Sequence, residues 1–186
     1  MGRDMPSTIV PTGQERTFGD DELIVSKTDL RGRLTYVNDV FLRVSAFPET
    51  DLIGRPHNVI RHPDMPRCVF RLLWDTIQSG EELFAYIVNV AQDGAHYWVL
   101  AHVTPSVDAS GSVVGYHSNR RTASRSAIAE ATELYRELRA AEASVSDPVR
   151  SIEAGVRRLQ EILDEAGMTY SEWVWSVESR TAGVAA

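Results

Sequence analysis

Short stretches rich in apolar, β-branched and aromatic residues recur along the chain, and several alternate apolar with polar positions as half-buried β-strands do. A turn at Asp29 to Gly32 joins the first two stretches, and Asp93-Gly94 joins the next pair, so both pairs are predicted β-hairpins. A further turn at residues 108–111 precedes the last stretch. The predicted strand regions are residues 23–25, 34–38, 83–91, 96–107 and 112–121.

Two regions have apolar residues at helical spacing instead. The first follows the opening hairpin, and the second runs from Cys68 to Gly80, where the glycine is a suitable C-terminal cap. The intervening stretch RPHNVIRHPDMP, residues 55–66, is too rich in proline and histidine for regular structure. The order β-β-α-loop-α-β-β-β predicts an α+β fold, a five-stranded antiparallel sheet with helices on one face.

The last third of the chain has two heptad patterns, which predict two helices. Asp147 is a suitable N-cap before Pro148 in the first helical position, and Gly167 ends the second helix. The capping-box pattern from Thr169 to Glu172 then predicts a short final helix with two tryptophans. The heptad positions are Ala131, Leu134, Leu138, Ala141 and Val145, then Val149, Ile152, Val156, Leu159, Leu163 and Ala166.

Composition narrows the function classes. The formal charge of −7 and the absence of a basic stripe argue against a nucleic-acid partner. No stretch of about 18 apolar residues is present, so we expect no membrane span and no signal peptide. The single cysteine, Cys68, excludes an intramolecular disulfide and a cysteine-based metal site, and a cytoplasmic location is expected.

Residues 55–66 could hold a metal, a catalytic base pair or a flat organic cofactor. His57 and His62 are five residues apart with no third ligand at a recognisable spacing, so a zinc site is poorly supported. The chain also lacks a recognisable nucleophile motif and a phosphate-binding glycine loop. We therefore expect a binding protein rather than an enzyme, with no catalytic residues and no metal site.

Three motifs carry a family resemblance: PHN, RHPDMP and DGAHYWV, in this order. With NDVF before them and VVGYHS after them, they make residues 23–121 resemble the PAS domain of bacterial aerotaxis receptors. This resemblance implies a PAS fold and a noncovalently bound FAD that senses redox state or oxygen. Carried over by position, it implies a cofactor pocket formed by Asn38, Arg61, His62, Asp64, Trp74 and Asn89.

The sequence also departs from the family pattern. Phe84 replaces a tryptophan, Val88 a lysine, and Val90 and Ala91 two arginines, all expected near the pocket rim. FMN therefore stays open beside FAD. Haem b is a further alternative, since some related PAS domains hold haem by one histidine.

The resulting prediction is a flexible leader (1–17), a PAS sensor domain (18–122), a C-terminal helical segment (123–180) and a disordered tail (181–186). We expect a cytoplasmic redox or oxygen sensor that forms a homodimer. Its C-terminal helices would signal to a partner such as a histidine kinase or a chemoreceptor. The alternatives are a haem-binding gas sensor and a cofactor-free interaction module.

Overall fold

The computed structural model describes residues 9–184 of the 186-residue chain and confirms the α+β fold. The five strands form one antiparallel sheet in the order β2-β1-β5-β4-β3. The strands are β1 (Ile24–Thr28), β2 (Leu34–Val37), β3 (Leu83–Val90), β4 (His96–Val107) and β5 (Val113–Arg121). The α-helices are α1 (Asp39–Ser45), α2 (Arg67–Gln78), α3 (Arg125–Ala143), α4 (Pro148–Ala166) and α5 (Tyr170–Val184).

Two short 3₁₀ helices, Glu49–Asp51 and His57–Ile60, lie between α1 and α2. The second lies in the stretch for which the sequence predicted no regular structure. Prolines at its two sides limit it to a single turn, because Pro56 precedes it and Pro63 follows soon after.

The β1–β2 turn fixes the position of a bulky side chain. The Asp29 carboxylate accepts hydrogen bonds from the backbone N–H groups of Arg31 and Arg33, both at 2.9 Å. Gly32 follows with a φ of +71°, and a Cβ atom at this glycine would meet the Trp74 ring at 2.7 Å. The turn therefore needs glycine for its conformation and for the close approach of Trp74.

The two faces of the sheet are covered by different helices. On β3, Ile87 and Asn89 face the same cavity as Trp74 of α2. The alternate residues Phe84 and Tyr86 contact tryptophans of α5. The predicted helices of the sensor domain thus pack on one face, while α3 and α5 of the C-terminal segment pack on the other.

The predicted helix ends in the C-terminal segment are confirmed. The Asp147 side chain accepts hydrogen bonds from two backbone N–H groups of α4, and Gly167 ends that helix with a φ of 64°. The Thr169 hydroxyl and the Glu172 carboxylate form the predicted capping box. Helix α5 has 15 residues, so it is longer than predicted, and it includes residues 181–184 of the expected tail. Residues 185–186 lie outside the described residues.

Part of the predicted leader is held against the sheet. Glu15 forms a parallel bridge with His96, and Thr12 donates a backbone hydrogen bond to the Gly94 carbonyl at 2.9 Å. The first residues of β4 lie beyond the end of β5, so their free edge is available to this segment. Residues 1–8 of the predicted leader lie outside the described residues.

Helix α2 begins with a cap from a distant helix. Its N-cap residue is Pro66, which offers no side-chain hydrogen bond. The buried Glu142 carboxylate of α3 accepts instead from the backbone N–H groups of Arg67 at 3.1 Å and Cys68 at 2.8 Å. A carboxylate in this position also interacts favourably with the helix dipole. The cap attaches the C-terminal segment to α2.

Replacing Glu142 with alanine should lower the free energy of unfolding by about 2 kcal/mol, because two buried N–H groups lose a charged acceptor. Urea denaturation would measure this. The control is Glu133→Ala, which removes an exposed carboxylate from the same helix and should change stability by less than about 0.5 kcal/mol. Equal effects of the two substitutions would contradict the capping role.

Candidate functional site

A cavity of about 500 Å³ lies between α2 and the inner face of the sheet. Trp74 and Phe70 of α2 and Tyr116 of β5 give it an aromatic wall, with the Trp74 and Tyr116 rings edge-to-face at 5.5 Å. Ile152 of α4 completes the lining, so the C-terminal segment forms part of the wall. This size and lining are typical of sites for small organic ligands.

The charge of the cavity is opposite to that of the protein. Among the described residues, no aspartate or glutamate lines it. The five arginines that line it are Arg31, Arg61, Arg67, Arg71 and Arg120. Arg31 and Arg71 are exposed and mark its opening to solvent, whereas Arg120 is only 2% exposed. A ligand with anionic groups is the best electrostatic match.

Three buried polar atoms on the cavity wall have no hydrogen-bond partner within residues 9–184. They are Asn89 Nδ2, Ser118 Oγ and Arg120 Nη1. Each of the three groups can donate a hydrogen bond, and a buried donor without an acceptor is unfavourable by roughly 1–3 kcal/mol. The cavity therefore favours a ligand whose edges carry hydrogen-bond acceptors.

Arg120 is held by two neutral side chains. Its Nη2 donates to Ser26 Oγ at 2.5 Å and lies 2.6 Å from His57 Nε2. A guanidinium can only donate, so His57 Nε2 is the acceptor and Nδ1 carries the ring proton. Burial, with a further contribution from Arg120, lowers the pKa of His57 to about 3. The histidine is therefore neutral at physiological pH.

Three of the residues implied by the resemblance meet at the cavity: Arg61, Trp74 and Asn89. Arg61 and Asn89 also form a backbone bridge that joins the loop to the edge of β3. The Arg61 guanidinium lies 4.3 Å from the centre of the Phe70 ring and donates to the Met65 carbonyl at 3.3 Å. These contacts leave part of its hydrogen-bonding capacity free.

The structure does not bring Asn38 to the cavity wall. Its side-chain oxygen accepts from the N–H groups of Val25 and Phe41, both at 3.0 Å, and its amide donates to the Leu23 carbonyl at 2.8 Å. Asn38 therefore caps α1 and ties it to β1. No capacity is left for a ligand on the side-chain oxygen.

His62 and Asp64 also lie away from the cavity lining. His62 is buried, its Nδ1 accepts from the Asp64 N–H at 3.1 Å, and its ring meets His96 edge-on at 6.0 Å. Burial lowers the pKa of His62. The Asp64 carboxylate pairs with Arg139 of α3. Both side chains hold the loop in place, His62 through the backbone of Asp64 and Asp64 through Arg139.

The four departures from the family pattern also lie outside the cavity lining. Phe84 packs on the opposite face, where its ring is stacked on His102 at 4.0 Å. Val88 and Val90 are buried, 3% and 2% exposed, and Ala91 is fully buried. The positive charges that the family pattern has at residues 88, 90 and 91 are therefore absent from the second half of β3 and the residue after it, and not from the cavity lining.

Sequence reasoning missed Arg120 and Ser118, and it considered His57 as a poorly supported zinc ligand. A signal was present in the predicted strand, because Tyr116, Ser118 and Arg120 alternate and so share one face. An arginine on a face with a buried tyrosine is unusual, and it indicates a special environment. The link from Arg120 to His57 depends on the fold and left no local signal.

Residues 9–184 contain no cluster of three or more histidine, cysteine or acidic side chains placed to bind a metal ion. No helix among the described residues combines the length and apolar character needed to cross a membrane.

Comparisons with known proteins agree with this architecture. Residues 34–120 match the family described as PAS fold. The chain is 39% identical over 133 residues to the aerotaxis receptor of Escherichia coli K12, which covers 72% of this chain and 26% of the receptor. It is 26% identical over 97 residues to the nitrogen fixation regulatory protein of Klebsiella pneumoniae, and this match covers 52% of this chain and 20% of that protein. The chain thus spans about a quarter or less of these relatives.

Solved structures show the same fold. A light-oxygen-voltage domain from a study of a flavin analogue superposes with a TM-score of 0.52 at 17% identity, covering 62% of this chain and 84% of that one. The light state of the Aureochrome1 light-oxygen-voltage photoreceptor superposes with a TM-score of 0.51 at 21% identity, covering 63% of this chain and 90% of that one.

The pKa of His57, lowered from 6.5 to about 3, predicts a pH dependence of stability. Between these values the unfolded chain binds a proton that the folded protein does not. The stabilising contribution is therefore complete above pH 6.5 and is lost as pH falls towards 3. The contribution of His57 alone should lower the free energy of unfolding by up to about 1.4 kcal/mol for each unit by which the pH falls.

The measurement is urea denaturation of the ligand-free protein between about pH 7 and pH 4. His57→Gln should flatten the profile. His102→Gln, which removes a half-exposed histidine on the other face, should leave it steep. Parallel profiles for wild type and His57→Gln would contradict the assignment.

Proposed function

Because residues 34–120 match the PAS fold family and the chain is similar to the aerotaxis receptor, we propose that this chain is a redox or oxygen sensor. In the proposal it binds FAD noncovalently in the cavity and signals through its C-terminal helices. The bound flavin reports redox state and is not a turnover centre. The cytoplasm is the proposed location.

The observation that carries the proposal is the set of three unpartnered donors on the wall of an aromatic cavity. Asn89 Nδ2, Ser118 Oγ and Arg120 Nη1 match a flat ring system with carbonyl and nitrogen acceptors along its edge. Trp74 and Phe70 offer faces and edges for such a ring. An isoalloxazine ring has both properties, and it supplies the electron-accepting chemistry when bound.

The arginines at the opening favour a flavin that carries phosphate. Arg31 of the β1–β2 turn and Arg71 of α2 are exposed there, and Arg67, four residues before Arg71 on α2, also lines the cavity. Guanidinium groups bind phosphate oxygens with two parallel hydrogen bonds. Three cations suit the diphosphate of FAD better than the single phosphate of FMN.

Haem b is less well matched to the same residues. The two histidines on the cavity wall are His57 and His117. His57 Nε2 already accepts from Arg120, and His117 Nε2 lies 3.0 Å from Asn119 Oδ1. A haem iron would require one of these contacts to break or a ligand at Nδ1. A cofactor-free interaction module would leave the three buried donors unpaired.

The proposed signal path starts at Arg67, which lines the cavity and also contacts both C-terminal helices. Its Nη2 donates to Ser151 Oγ of α4 at 2.5 Å, and its Nε lies 3.5 Å from Glu142 Oε2 of α3. Ser151 Oγ in turn donates to the Glu142 carbonyl at 2.6 Å. A change in the ligand near Arg67 would alter how these helices pack on α2.

The proposed partners are a second copy of the chain and a histidine kinase or chemoreceptor. Leu159 and Leu163 of the second heptad pattern are buried within the protein, whereas Val149 and Val156 are 65% and 40% exposed. This exposed pair, seven residues apart, supports helix-to-helix association at α4.

The absorption spectrum of the purified protein tests the cofactor. We expect flavin bands, and HPLC of the released cofactor should identify FAD. Trp74→Ala and Asn89→Leu should each lower flavin retention roughly tenfold, as loss of about 1.4 kcal/mol of binding energy would. Trp98→Ala removes an indole from the opposite face and should retain the flavin. A Soret band, or no chromophore after reconstitution with FAD, would overturn the proposal.

Hydrogen exchange tests the signal path. Exchange in residues 148–166 should differ between the oxidised and reduced protein, because the contact through Arg67 changes. Arg67→Met should abolish this difference. Arg136→Met is the control, since Arg136 is exposed, pairs with Glu133 of its own helix and does not line the cavity. If Arg67→Met preserves the redox-dependent difference, this route is wrong.

A further inference from the structure

Arg120 is a buried cation without a counter-charge. It is 2% exposed, and no carboxylate among residues 9–184 forms an ion pair with it. By contrast, Arg67 of α2 pairs with Glu142 of α3, and Arg139 of α3 pairs with Asp64. A buried, unpaired charge is unfavourable unless another group compensates it.

The groups that surround Arg120 are neutral. Ser26 and His57 accept hydrogen bonds from Nη2, and the guanidinium lies 5.4 Å from the centre of the Phe41 ring. Burial lowers the pKa of Arg120 to about 10, so the group remains protonated at neutral pH. These contacts orient the guanidinium, but none of them supplies negative charge.

The orientation leaves one side of the guanidinium for a ligand. Nη2 is occupied by Ser26 and His57, whereas Nη1 has no partner in the described part of the chain. Arg120 and Ser118, whose hydroxyl is also unpartnered, both line the cavity. His57, held neutral, acts as a positioning residue because it fixes Nη2 without adding a second charge.

We propose that Arg120 is the counter-charge of the cavity: Nη1 binds an acceptor atom of the ligand that carries negative charge or gains it on reduction. The inference rests on the proposed flavin-binding function. A flavin provides such an edge, because its N1 and C2 carbonyl take up negative charge when the ring accepts electrons. Arg120 thereby favours the reduced form and raises the midpoint potential.

The test compares Arg120→Met, Arg120→Lys and Arg121→Met. Arg121 is the neighbouring residue in β5 and pairs with Glu178 of α5, so its removal deletes the same charge away from the cavity. Spectroelectrochemical titration of the FAD-loaded proteins should give a more negative midpoint potential for Arg120→Met. Arg120→Lys should recover part of the shift, and Arg121→Met should match wild type.

Two further measurements separate this role from a structural one. FAD titrated into flavin-free Arg120→Met should bind roughly tenfold more weakly, as expected for loss of a hydrogen bond from a charged group. The flavin-free variant should melt no lower than wild type, because the unpaired charge is gone. Ser26 Oγ and His57 Nε2, 3.3 Å apart, can then bond to each other.

The outcomes distinguish the two proposals. If wild type binds FAD and Arg120→Met has the same affinity and potential, Arg120 is not the counter-charge, although the flavin assignment stands. If flavin-free Arg120→Met melts well below wild type with an unchanged potential, the residue is structural and the inference is wrong. If wild type binds no flavin, both proposals fail.

Discussion

The cap of helix α2 is the contact on which the rest of the structure depends. The helix starts at a proline, so its first N–H groups need an acceptor from elsewhere, and Glu142 provides it from 75 residues further along the chain. The same helix carries Phe70 and Trp74, which form one wall of the cavity. The position of this wall is therefore linked to the docking of α3 and α4.

Charge is distributed unevenly in this acidic protein. Carboxylates neutralise the arginines that join the sensor domain to the helices, as Asp64 does for Arg139 and Glu142 for Arg67. The cavity receives arginines but no carboxylates from the described residues. The fold thus keeps its helix contacts neutral, whereas Arg120 on the cavity wall has no carboxylate partner among these residues.

Local patterns were sufficient to predict the strands and the α-helices of the fold, but not the 3₁₀ helix at His57–Ile60. Alternating apolar and polar positions predicted the strands. Asp147, Gly167 and the capping box at Thr169 predicted the helix ends, because each of these signals depends on neighbours in sequence. The family resemblance placed Trp74, Asn89 and Arg61 at the cavity. Asn38 and His62 carry equally suitable groups, but hydrogen bonds to nearby backbone use them. The cap from Glu142 could not be predicted, because it joins residues far apart in the chain.

The cavity wall extends beyond the region that matches the PAS family, which ends at residue 120. Ile152 closes one side of the cavity, and the cap of α2 comes from residue 142. A fragment cut at the end of the sheet would retain every strand but would lack Ile152 from the cavity lining and the acceptor for α2. The smallest unit that contains the whole cavity and the cap of α2 therefore includes α3 and α4, so a fragment meant to keep the cavity intact has to extend through α4.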